Sequence, residues 1–140
     1  MEERRHPLRA LLVAQFLGAF NDNAFKIVVT FLAIRAATVG LSETDAETAA
    51  QGVTSVAAIV FLLPMLAVAL PAGALADRVS KTRVIVWTKV LEVVLMAAGT
   101  AVLLFAPGDR VLPLVVLGLM GVQSGFFSPA KYGILPEILP

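Results

Sequence analysis

Residues Val53–Ala76 read VTSVAAIVFLLPMLAVALPAGALA, 24 positions without a single charge. About 20 apolar residues carry a helix across the hydrocarbon core of a bilayer. One such run also suits a buried helix of a soluble protein, so the flanking sequence decides. Three further runs follow the same pattern. One extends from about Leu8 to Ile34 and is interrupted by Asn21-Asp22-Asn23 and Lys26. Another covers Val84 to Ala106 and contains Lys89 and Glu92; the last covers about Val111 to Ser128. The whole chain has 140 residues, of which 59% are hydrophobic and 15% charged. Soluble domains carry about a quarter charged residues, and a small domain leaves much of its surface in water. Four such runs exceed what one small core can hold. The expected fold class is therefore all-α: a polytopic membrane protein with four transmembrane helices.

The same arithmetic removes several classes of function. Without cysteine there is no disulfide framework, thiolate metal site or cysteine nucleophile. His6 is the only histidine, which excludes histidine-rich metal sites, and no cofactor is expected. A net charge of +1 does not point to nucleic acid. His6 lies in a basic tail, directly before Pro7 and without a nearby aspartate. It reads as a solvated side chain, so no catalytic residue is assigned and no enzyme is expected.

Arg4, Arg5 and Arg9 before an apolar run also fit a signal peptide. No small-x-small cleavage site follows, and the apolar pattern resumes at Ala24. The segment reads as an uncleaved first helix. Arg4, Arg5 and Arg9, then Arg78, Lys81 and Arg83, then Lys131 fall on one side if four helices alternate. Arg35 and Arg110 fall on the other, with Glu43, Asp45, Glu47 and Asp109. Basic residues favour the cytoplasmic side, which places the N-terminus in the cytoplasm. Gly40 ends the first helix. Ser42 and Thr44, each three residues before an acid, offer two overlapping capping boxes and a short amphipathic turn into the second helix. Pro64 and Pro71 predict a bend within that helix, and Pro107-Gly108-Asp109 a turn.

Charges inside the membrane carry the chemistry. An acid or base near a helix centre costs about 2.5–3.5 kcal/mol on insertion scales. Asp22 and Lys26 are four apart and Lys89 and Glu92 three apart, so each pair can meet on one helix face. Glu92 lies roughly 12 Å inside its helix and Asp22 about 20 Å beyond Arg9, which separates the pairs in depth. Asn21 and Asn23 surround Asp22 with amides, as in a wet cavity; the alternative is a purely structural interhelical hydrogen bond. In the fourth helix Gly118, Gly121 and Gly125 allow another backbone to approach. Gln123 and Ser124 put polar groups in the same region, and Pro129 is expected to break the helix.

Gly73-Ala74-Leu75-Ala76-Asp77-Arg78-Val79-Ser80-Lys81-Thr82-Arg83 resembles the cytoplasmic signature loop of the major facilitator superfamily. The match holds at Gly73, Leu75, Asp77, Arg78, Lys81 and Arg83. It departs at Ser80, where the pattern has glycine, implying a looser turn, and at Thr82, where it has a base. Met120 stands where proton antiporters of that superfamily carry arginine. A narrower resemblance covers almost the whole chain. Gln15-Phe16-Leu17-Gly18-Ala19-Phe20-Asn21-Asp22-Asn23-Ala24-Phe25-Lys26 is similar to the first helix of the lysophospholipid transporter family. Lys89 with Glu92, and Phe127-Ser128-Pro129-Ala130-Lys131-Tyr132-Gly133-Ile134-Leu135-Pro136-Glu137, are similar to its later motifs.

The resemblance implies a carrier in the bacterial inner membrane that moves lysophospholipid to the inner leaflet. It implies service to, or fusion with, an acyltransferase. Asn21, Asp22, Asn23, Lys26 and Gln123 would line the substrate cavity. Gly73, Asp77, Arg78, Lys81 and Arg83 would form the cytoplasmic gate loop, and Lys89 and Glu92 an intramembrane ion pair. Such carriers have about twelve helices in three-helix repeats, so residues 1–140 would be part of the N-terminal six-helix bundle, a fragment unable to transport alone. Two other readings stand beside it. One is a small four-helix, proton-coupled multidrug efflux protein acting as a dimer through Glu92. The other is a non-transporting assembly subunit held by the glycine-rich fourth helix.

Overall fold

The computed structural model describes residues 5–106 and 108–138, with side chains for 9–10, 12–75, 78–106, 108–129 and 132–133. Arg4 and Pro107, and the side chains of Arg5, His6, Asp77, Lys131 and Glu137, lie outside the described residues. Four helices follow one another: α1 (Arg5–Thr38), α2 (Glu43–Arg78), α3 (Lys81–Phe105) and α4 (Val111–Ile138). All four contain a stretch long and apolar enough to cross a membrane. Each reaches past its apolar run, because a helix ends where its backbone finds a cap rather than where hydropathy falls.

The caps show this locally. Gly40 takes a φ of +79°, the left-handed conformation that stops α1. Ser42 Oγ then accepts the Asp45 N–H at 3.3 Å and donates to Asp45 Oδ2 at 2.7 Å. The first of the two expected capping boxes is thus used, and Thr44 lies inside the helix. Residues 43–52 continue α2 without a break, instead of forming a separate turn. Ser80 starts α3 in the same way, its Oγ accepting from the Arg83 N–H at 3.3 Å. Serine where the resembling pattern has glycine therefore caps a helix, and Val79-Ser80 alone separate α2 from α3. Asp109 Oδ1 caps α4 by accepting from Val111 N–H at 2.7 Å and Leu112 N–H at 2.8 Å.

Prolines do not end these helices. α2 runs through Pro64 and Pro71, and α4 runs through Pro129 to Ile138, contrary to the break expected there. Proline removes one donor, whereas leaving the helix in lipid would strand several backbone groups.

α4 is the centre of the bundle. It packs chiefly on α2 and then α3, while α1 lies against α2 with lighter contacts to α4 and α3. A Cβ on Gly121 would collide with the Phe61 carbonyl oxygen, and one on Gly125 would come 2.7 Å from that of Met65. The glycines of α4 thus seat it on the backbone of α2. Gly99 of α3 makes room for the Phe25 ring, whose Cε2 would lie 2.5 Å from an added Cβ. Phe25, Val29, Phe61, Leu95, Leu117 and Met120 are buried around these contacts. The outer faces stay apolar and exposed: Phe16, Phe20, Ile27, Phe31, Leu63, Leu70 and Phe105 among many. Such a surface suits lipid and not water, and the chain is an all-α, multi-pass membrane protein.

Candidate functional site

A polar layer crosses the bundle where α1, α3 and α4 meet. Lys89 and Glu92, three residues apart on α3, form an ion pair with Nζ 2.6 Å from Oε2. Gln123 of α4 is buried and donates from Nε2 to the same Glu92 oxygen at 3.3 Å and to the Thr88 carbonyl at 3.1 Å. Its neighbour Ser124 donates from Oγ to Asp22 Oδ2 of α1 at 2.9 Å. Ser124 Oγ also lies 3.4 Å from Gln123 Oε1. A hydroxyl has one proton, and the shorter contact is to the carboxylate. Ser124 thus bonds Asp22 while its neighbour Gln123 bonds Glu92 and Thr88, which brings Asp22, Ser124, Gln123, Glu92 and Lys89 into one layer. The two acids expected at different depths share one layer, because Gln123 and Ser124 are adjacent and reach opposite ways.

Asp22 and Lys26 do not pair. Asp22 turns toward α4, and its Oδ1 is buried without a hydrogen-bond partner. Lys26 Nζ instead lies 4.2 Å from the centroid of the Phe61 ring, a contact worth up to about 2 kcal/mol when desolvated. Lys89 Nζ has a similar contact with Phe127 at 4.5 Å. The expected cavity residues thus separate. Asp22 and Gln123 come together through Ser124, Lys26 sits one turn further on, and Asn21 lines a cleft. Asn23 is exposed and donates from Nδ2 to the Ala19 carbonyl at 2.7 Å.

That cleft, of about 360 Å³, lies between α1 and α3. Gly18, Phe20 and Asn21 form one wall, and Lys89, Glu92 and Val93 the other. Gly18 explains how α1 passes so close to the ion pair. A Cβ there would run into Lys89 Nζ and lie 3.1 Å from both Glu92 oxygens. Gly18 and Ser124 belong to this layer although neither was among the cavity residues expected from the sequence. Gly18 stands four residues before Asp22, hence on the same helix face, a signal that was present. Ser124 is 102 residues from Asp22, and no local pattern links them. Glu92, neutralised by Lys89 and bonded by Gln123, lacks the free acid that the multidrug reading needs.

At the N-terminal end of α3, Arg78, Lys81 and Arg83 stand around the Val79-Ser80 turn, with Arg78 and Arg83 exposed. Gly73 is half-buried, and an added Cβ would meet nothing within 4 Å. The side chain of Asp77 is outside the described residues.

Known proteins resemble this chain over most of its length. The lysophospholipid transporter LplT of Photorhabdus laumondii is 31% identical over 131 residues. Those of Cronobacter sakazakii and Pectobacterium carotovorum are each 34% identical over 131 residues. Each comparison covers 94% of this chain and 28% of the transporter, so the chain spans little more than a quarter of its relatives' length. No family model and no solved structure matches it.

Proposed function

This chain is a homologue, over nearly its whole length, of part of the lysophospholipid transporters, and from that kinship we propose that it serves lysophospholipid movement across the bacterial inner membrane. Its helices would form part of the N-terminal bundle of a major facilitator, which works as a carrier and not as an enzyme. The observation that carries the reading is Asp22: an acid within a helix long and apolar enough to cross a membrane, half-buried, with one carboxylate oxygen buried and without a hydrogen-bond partner. Polar groups within such a helix are costly and mark substrate paths. A lysophosphatidylethanolamine headgroup has an amine for the free Asp22 oxygen and a phosphate for Lys26 or Lys89. The apolar walls would accept its acyl chain. Asn21, Asn23 and Gln123 would supply polar lining as the cavity opens.

Transport would proceed by alternating access around this polar layer. The basic turn at Arg78, Lys81 and Arg83 would lie in the cytoplasm with the N-terminus, and Asp77-Arg78 would latch the gate there. An acyltransferase, separate or fused, would then rebuild the diacyl lipid from the delivered product.

The test is lysophospholipid uptake by spheroplasts expressing the carrier that contains these helices. Hydrogen bonds to charged groups are worth about 1.5–3 kcal/mol. Asp22→Asn should therefore lower uptake about tenfold or more, and Lys26→Ala should also impair it. Undiminished uptake in both variants would sink the proposal.

A further inference from the structure

α3 leaves the basic turn with an ordered face. Arg83 stands in its first turn, Trp87 one turn deeper and Leu91 another turn on. The three descend about 12 Å at 1.5 Å per residue. They form one wall of a groove of about 390 Å³, completed by Leu75 and Val79 at the end of α2 and by Phe126 of α4. Thr88 also borders it, but its hydroxyl donates back to the Val84 and Ile85 carbonyls of its own helix at 3.0 and 2.9 Å. Below Arg83 the groove is therefore apolar. Arg83 is exposed, and Trp87 is 66% exposed, high for the largest apolar side chain. On α3 this face is not the one that carries Lys89 into the polar layer.

A cation at the rim, an indole beneath it and aliphatic groups below repeat the polarity gradient of one bilayer leaflet. We propose that this groove seats one anionic diacyl phospholipid. Its phosphate rests on the Arg83 guanidinium, which suits phosphate by its forked donors. One acyl chain lies against Trp87, Leu91 and Phe126. The seat belongs to the leaflet on the side of the α2–α3 turn and is distinct from the transport path through Asp22.

Trp87 is the only tryptophan in the sequence, so its fluorescence reports on the groove alone. The carrier that contains these helices, with any tryptophan other than Trp87 replaced by phenylalanine, is reconstituted in phosphatidylcholine vesicles containing a minor fraction of brominated phosphatidylglycerol or brominated phosphatidylcholine. Bromine on the acyl chain quenches only a neighbouring indole. Phosphatidylglycerol should be enriched at Trp87 about fivefold, the attraction of one basic residue for anionic lipid. Arg83→Gln should abolish the preference. Arg78→Gln, an exposed charge at the same end but outside the groove, should keep it. Equal quenching by the two lipids overturns the proposal. So does an equal loss in both variants, which would mean diffuse surface charge, and so does quenching by neither, which would mean that protein covers the groove.

Discussion

Gly18 and Asp22 occupy one face of α1: Gly18 lets the helix pass the charged pair of α3, and Asp22 accepts from Ser124 of α4. A methyl at Gly18 must displace the Lys89 ammonium, which loosens its bond to Glu92. That ammonium ends a flexible side chain and alanine has the better helix propensity, so the two effects offset and Gly18→Ala should leave thermal stability in detergent within about 0.5 kcal/mol. In a background carrying Lys89→Ala and Glu92→Gln, where the clash is gone, the same substitution should stabilise by about 0.5–1 kcal/mol. A double-mutant cycle on melting of the purified chain reads this, and additive effects would contradict the geometry. The Lys89–Glu92 bond was legible in the sequence because it is a local, three-residue spacing. The Asp22–Ser124 bond was not, since it depends on how α1 and α4 come together. Lys26 shows the opposite failure: its spacing from Asp22 was favourable, yet the Phe61 ring on α2 holds it.

Between helices the closest fit is α4 on α2. Gly121 faces the Phe61 carbonyl, whereas at Gly118 a Cβ would sit 3.6 Å from Val60, an ordinary contact. The two glycines should therefore respond differently. Gly121→Ala forces backbone away from backbone and should destabilise by about 1–3 kcal/mol, the usual cost of overpacking. Gly118→Ala should change stability by less than about 0.5 kcal/mol. The fraction of monodisperse protein surviving heating in detergent distinguishes them. Glycine spacing announced a close helix neighbour in the sequence, but not which helix. The spans themselves were legible from apolar length. Their ends were not, because polar residues such as 43–52 remain helical once Ser42 supplies a cap.

At the scale of the whole chain, alternating helices place the α1–α2 and α2–α3 turns on opposite sides of the bilayer. The absence of cysteine makes this simple to test. Thr44 and Thr82 are exposed near those two turns. In intact cells a membrane-impermeant maleimide should label Thr44→Cys and leave Thr82→Cys unlabelled until the membrane is opened. The reverse pattern would invert the topology drawn from the basic residues.

The separation of Asp22 from Ser124 has a consequence in time. Lys89 and Glu92 neutralise each other within one turn, so α3 can enter the membrane with its charges already matched. Asp22 waits for a hydroxyl that lies 102 residues downstream. At about 5–20 residues per second of synthesis, that is a delay of roughly 5–20 s. During it α1 holds an unmatched acid that the translocon, a chaperone or bound water must shelter. Slowed translation between α1 and α4 would lengthen that exposure, and early degradation of the nascent chain would be its mark.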